Sequence, residues 1–140
     1  MILTALANIF TIIGGLAVLF ALFQYRANSR LERARWLASL YEKFYEKDNL
    51  KKVREILDIR APDSSEVDGL VREEPPDFTD YLNFFEFVAI LGKSRQLKSG
   101  EIEDLFRYYL DCLEKNKQVR DYIAMKGYEH LDKLLRSRRK

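Results

Sequence analysis

Few side chains in this 140-residue sequence are of types that do covalent or metal chemistry. His130 and Cys112 are its single histidine and single cysteine; their surroundings place them on different helices, and nothing in the pattern joins them as a nucleophile and its base. Helical-bundle ribonucleases carry an arginine shortly before the histidine, but positions 123–125 are Ile, Ala and Met, and Arg120 lies too far upstream. Zinc-type spacing, a glycine-rich phosphate loop and a nucleophile elbow are all missing. Glu73, Glu74, Asp77 and Asp80 crowd around Pro75 and Pro76 and offer oxygen ligands of the kind a divalent cation takes. They follow no calcium-loop spacing, and helix capping with solubility explains them, so neither a metal nor a cofactor is expected. An enzyme is the least expected class.

Charge offers more. Arg136, Arg138, Arg139 and Lys140 form a basic tail, "RSRRK" with Ser137. It reads as a solvated end, as a contact with anionic lipid at about 1 kcal/mol per charge near the surface, or as a contact with nucleic-acid phosphates. Arg26, Arg30, Arg33 and Arg35 form a second basic group, opposed there only by Glu32.

That second group follows a stretch of the opposite character. The chain has 24 Lys and Arg and 22 Asp and Glu, yet residues 2–23 contain no charge at all. As a helix those residues reach roughly 33 Å, enough for a hydrocarbon core of about 30 Å. Thirteen of them are Ile, Leu, Val or Phe, each favouring insertion by roughly 0.3 to 0.6 kcal/mol, which outweighs Asn8 and two threonines. A cleaved signal peptide needs a basic start and a small-residue cleavage site; here the basic residues come afterwards, and Phe20, Leu22 and Phe23 occupy the end. Residues 1–25 therefore read as an uncleaved transmembrane helix. The arginines behind it put residues 26–140 in the cytoplasm by the positive-inside rule, with the N-terminus outside and Tyr25 at the headgroups. The expected location is the inner (cytoplasmic) membrane, single-pass, and one lone cysteine agrees with a reducing compartment.

Within the span, Thr4, Asn8, Thr11 and Gly15 fall in one sector of a helical wheel, with Ala7, Gly14 and Ala21 beside it. Lipid gives helices no hydrophobic reason to associate, so small residues that let backbones approach, and amides that hydrogen-bond across, are the usual drivers. Asn8 is the sharpest element, because its amide is costly against lipid and satisfied against another helix. This face predicts a homo-oligomer, or packing on a partner span. Its alternative is a tolerant anchor of ordinary membrane composition.

The elements that carry these residues are helical throughout. No glycine or proline occurs between Gly15 and Pro62, so the membrane helix runs on into the cytoplasm, with Trp36, Leu37, Leu40, Tyr41, Phe44 and Tyr45 at three- and four-residue steps. A break is expected near Asp48 or Asn49, either of which can cap a helix carrying Leu50, Val53, Ile56 and Leu57. Residues 60–77 hold all three prolines and read as an acidic loop with at most a single turn around Ser65–Val71. Asp77 or Thr79 then caps a helix so apolar that it must be central, with Glu86 the one acid in its interior. Ser99 is the expected N-cap of the next. Another element ends at Gly127, a left-handed cap, and a last carries Leu131, Leu134 and Leu135. The fold class is all-α, a bundle of about five helices behind the span. The 8 Tyr and 9 Phe belong to its core by spacing, and any left exposed marks a protein interface.

The stretches "WLASLYEKFYEKDNLKKVREIL", "YLNFFEFVAILGKSRQLKSGEIEDLFRYYLDC" and "VRDYI" resemble a family of short bacterial single-span membrane proteins of unknown function. That resemblance, over residues 33–125, implies an N-terminal span before a helical domain and brings no catalytic residue. The layout is also similar, more loosely, to the membrane-pore accessory proteins of RNA-targeting CRISPR systems, whose arginine and histidine pair is missing here. Three functional expectations follow. The first is a non-enzymatic membrane-anchored module that homo-oligomerises and presents a cytoplasmic surface to a protein partner. The second is a pore-forming or membrane-disrupting effector, as in anti-phage defence. The third is a membrane-tethered nucleic-acid or nucleotide sensor, for which nucleic acid is the weakest of the partners considered.

Overall fold

A computed structural model describes the backbone of residues 2–60 and 64–139 and the side chains of 17–60 and 65–139. Among these residues the protein is all-α, with seven helices and no strand. They are α1 (Ile2–Glu46), α2 (Asp48–Ile56), α3 (Ser64–Glu73), α4 (Pro76–Lys93), α5 (Ser99–Lys115), α6 (Lys117–Met125) and α7 (Glu129–Ser137). The chain divides into two compact units, residues 1–42 and 43–140.

The first unit is α1 as far as Glu42. Every side chain from 17 to 32 is exposed, among them Phe20 at 64% and Phe23 at 71%. Among the described residues no helix is long and apolar enough to cross a membrane; residues 2–16 are described by their backbone alone. The side-chain face of Thr4, Ala7, Asn8, Thr11, Gly14 and Gly15 lies outside the described residues, and Ala21 is exposed.

The second unit opens with the last turn of α1, where Phe44 is fully buried. Its ring lies 4.9 Å from Phe84 and Tyr109, 5.3 Å from Phe85 and 5.5 Å from Phe106, so one residue joins α1 to α4 and α5 through edge and stacked contacts. Arg54 of α2 closes the end of α1. Its guanidinium donates to the Phe44 carbonyl and, at 3.2 Å, to that of Tyr45, satisfying carbonyls that the helix end leaves without partners. It also stacks 4.8 Å from the Phe44 ring.

Three helices start one or more residues before the expected caps. α2 begins behind Lys47, which is extended, with Asp48 already in its first turn. α4 begins on Pro76 behind an extended Pro75, since proline lacks the N–H that a first turn would leave orphaned; Asp77 and Thr79 are inside the helix. α5 is capped at Lys98, whose backbone N–H donates to Glu101 at 2.8 Å, and Ser99 is its first residue. The 60–77 stretch is more than a loop: α3 fills ten of its residues. Val67 and Leu70, one turn apart, are buried where α3 packs on α6, which stabilises a helix too short and too sparsely apolar to stand out. Six helices therefore follow α1 where about five were expected. Gly127 does take the left-handed conformation, at φ +90.

Candidate functional site

A chain of polar side chains joins α7 to α4. α7 has no capping side chain of its own; its N-cap is Tyr128. Glu86 supplies the cap from α4, accepting the backbone N–H of His130 at 3.1 Å and of Leu131 at 2.7 Å. A carboxylate at this end also opposes the positive end of the helix dipole. The same carboxylate stands 2.8 Å from Nδ1 of His130. With the Nδ1 proton directed at Glu86, Nε2 presents its lone pair to Lys93 Nζ, 3.2 Å away. Lys93 follows Glu86 by two turns of α4, so one stripe of that helix holds both nitrogens of the ring.

Beside this chain of three lies a cavity of about 350 Å³ lined by buried carbon and by exposed lysines and serines. Ala89 of α4 and Ile102 of α5 are buried and Leu134 of α7 is half-buried, while Lys93 and Lys133 are exposed. Gly92 permits the wall to close: a Cβ there would come within 2.8 Å of Ile102 Cδ1. The carboxylate and imidazole order is the one that orients a general base, but the partner at Nε2 is an ammonium, which donates and cannot be activated as a nucleophile.

The basic tail forms a second cluster. Arg138, with 11% of its side chain exposed, bonds Glu103 at 2.6 Å and Asp111 at 2.8 Å and faces Glu114 at 3.5 Å, all on α5. Arg139 pairs with the same Glu114 at 3.1 Å, and Arg136 with Asp132 at 2.9 Å. The hydrogen bond from Arg138 holds the Glu103 carboxyl below its ordinary value against the opposing effect of burial. Burial works against the charge of Arg138 as well, and its bonds to Glu103 and Asp111 more than restore it. The tail is thereby a clasp between the end of α7 and α5. Lys140 lies outside the described residues.

No family model, curated protein or solved structure matches the chain. The side chains themselves are accordingly the ground for any assignment. Cys112 is buried on α5, which pushes its thiol up and disfavours the thiolate. Three of the four acids around the prolines are separately engaged: Glu73 with Arg72 at 3.3 Å, Glu74 with Lys126 at 2.5 Å, and Asp80 accepting from Asn49 at 3.0 Å. Among the described residues no group of three or more His, Cys, Asp or Glu is placed to hold a metal ion. Arg26, Arg30 and Arg35 are exposed and Arg33 is half-buried. Sequence reasoning passed over the Glu86–His130–Lys93 chain, although its signal was present in Glu86, one acid on an otherwise apolar helix.

Proposed function

We propose that the protein is a non-enzymatic, single-span module of the inner membrane that homo-oligomerises through residues 2–23 and offers a cytoplasmic surface to a protein partner. The observation that carries this is the uncharged segment 2–23 at the head of a 45-residue helix, followed by exposed Arg26, Arg30 and Arg35. Large apolar side chains such as Val18, Phe20 and Phe23 stand bare along that helix, and each 100 Å² of such surface in water costs about 2.5 kcal/mol. Lipid or a second helix removes that cost. On the bundle, Phe87 and Ile90 neighbour each other on α4 at 49% and 41% exposure, a face fitted to a protein partner. The pairing of Arg136, Arg138 and Arg139 with acids weighs against a nucleic-acid role, because phosphate binding needs free cations.

The test is the mass of the full-length chain in mild detergent beside an Asn8→Leu, Gly15→Leu double substitution. A defined oligomer that the substitutions dissociate supports assembly through the span. A monomer in both cases removes it. For the oligomer, dye release from liposomes then distinguishes a scaffold, which retains the dye, from a pore.

A further inference from the structure

We infer that the cavity between α4, α5 and α7 binds a small organic anion, an oxyanion carried on a compact apolar body. Three features of the cavity converge on that chemistry. Its deep walls, Ala89, Ile102 and Leu134, are hydrocarbon and suit an aliphatic or aromatic body; a volume of about 350 Å³ falls in the range of small-ligand pockets. Its mouth carries two ammonium groups. Lys133 leans on Glu129 only at 4.0 Å with most of its side chain exposed, and Lys93 has an imidazole nitrogen, not a carboxylate, as its partner. A contact to an imidazole nitrogen supplies the ammonium with no counter-charge, and an ammonium-to-oxyanion bond is among the strong, charge-assisted ones.

The third feature is the direction of the polar groups. Lys93, His130 and Lys133 come from two helices to one opening, joined there by Ser99 at the head of α5 and Ser137 at the foot of α7. Glu86 is already engaged by two backbone N–H groups and by Nδ1 of His130, so it holds the imidazole in place, and the carboxylate beside Lys133 is Glu129 at 4.0 Å, between exposed side chains. An anion seated at the mouth accepts from Lys93 and draws it from Nε2 of His130. That movement makes the imidazole a reporter. The site stands whether or not residues 2–23 cross a membrane.

His130 being the single histidine, a histidine-selective ¹⁵N label gives the Nδ1 and Nε2 signals of one imidazole from the full-length chain. The chain is placed in zwitterionic lipid discs, or in plain buffer where it needs no lipid, and titrated at fixed pH with hexanoate, hexyl phosphate and hexanol. The expected result is a saturable shift of the Nε2 signal with one or both anions and none with hexanol. Lys93→Gln should weaken the response about tenfold, the loss of one charge-assisted bond, and Lys133→Gln, on an exposed side chain, by less. Equal response to hexanol, a linear unsaturated drift, or saturable binding that both substitutions leave unchanged would overturn the site. A shift produced by phosphatidylglycerol in the discs but by neither soluble anion would overturn it too, assigning the lysines to lipid.

Discussion

Phe20 and Phe44 lie on the same helix and meet opposite fates. Phe20 is bare, with Val18, Leu19 and Phe23 around it equally exposed, whereas Phe44 is wholly buried within a ring of six aromatic neighbours. Helical periodicity explains only the second. A helix that buries one face against a bundle alternates apolar and polar positions, as α2, α5 and α7 do; a stretch without a charged side chain, polar only in a narrow sector, has little polar face to give to water. The comparison teaches that one end of the helix buries its aromatic side chain within its own unit, whereas the side chains from 17 to 32 leave their apolar surface bare.

Substitutions in the two regions should therefore behave differently in a thermal or denaturant melt of the bundle. The largest effect is expected at Phe44→Ala, a loss of about 4 kcal/mol from cavity formation at the centre of the aromatic cluster. Phe20→Ala should leave the same transition within about 0.5 kcal/mol; a comparable loss at both positions would break the contrast.

Next comes Arg138→Ala, at about 2 kcal/mol, because it removes the cation shared by Glu103, Asp111 and Glu114 and leaves Glu103 only Arg107 and Glu114 only Arg139. This clasp is also pH-dependent. Arg138 holds the Glu103 carboxyl below the ordinary 4.5, so its stabilising contribution is complete above that value and is lost as pH falls through the lowered one. The stability of the wild type and of Glu103→Gln should accordingly converge on acidification, as followed by urea titrations at several pH values.

Glu86→Ala, which removes the cap of α7, should cost about 2 kcal/mol and release His130 and Leu131 amides to faster hydrogen exchange. The smallest effect sharpens the comparison from the other side. Tyr81 keeps its hydroxyl buried with no hydrogen-bond partner, and that burial pushes its ionisation well up; Tyr81→Phe should hold or raise stability by up to about 1 kcal/mol.

How much of this was legible in the sequence depends on distance along the chain. Helical class, the buried stripe through Phe44, the break after α1 and the left-handed Gly127 all follow from local spacing and backbone chemistry. α3 was hidden because Val67 and Leu70 are too few to make a period among acids and prolines, and only packing on α6 makes that helix worthwhile. Glu86 and Arg138 were visible as oddities, one acid on an apolar helix and one arginine in a basic tail. Their partners lie 27 to 45 positions away in sequence, beyond what periodicity can address. The start of α5 was misplaced by one residue because the Glu101 side chain reaches back to the Lys98 N–H and sets the cap there.

The central claim, that the first region is satisfied by lipid, is tested most directly by alkaline carbonate extraction of membranes from cells making the full-length chain, beside a Leu16→Arg substitution in its uncharged segment. The account predicts that the unaltered chain stays with the membrane pellet and that the added charge, at roughly 2.5 to 3.5 kcal/mol against insertion, moves a substantial fraction to the supernatant. Quantitative recovery of the unaltered chain in the supernatant, as a detergent-independent monomer, would contradict it.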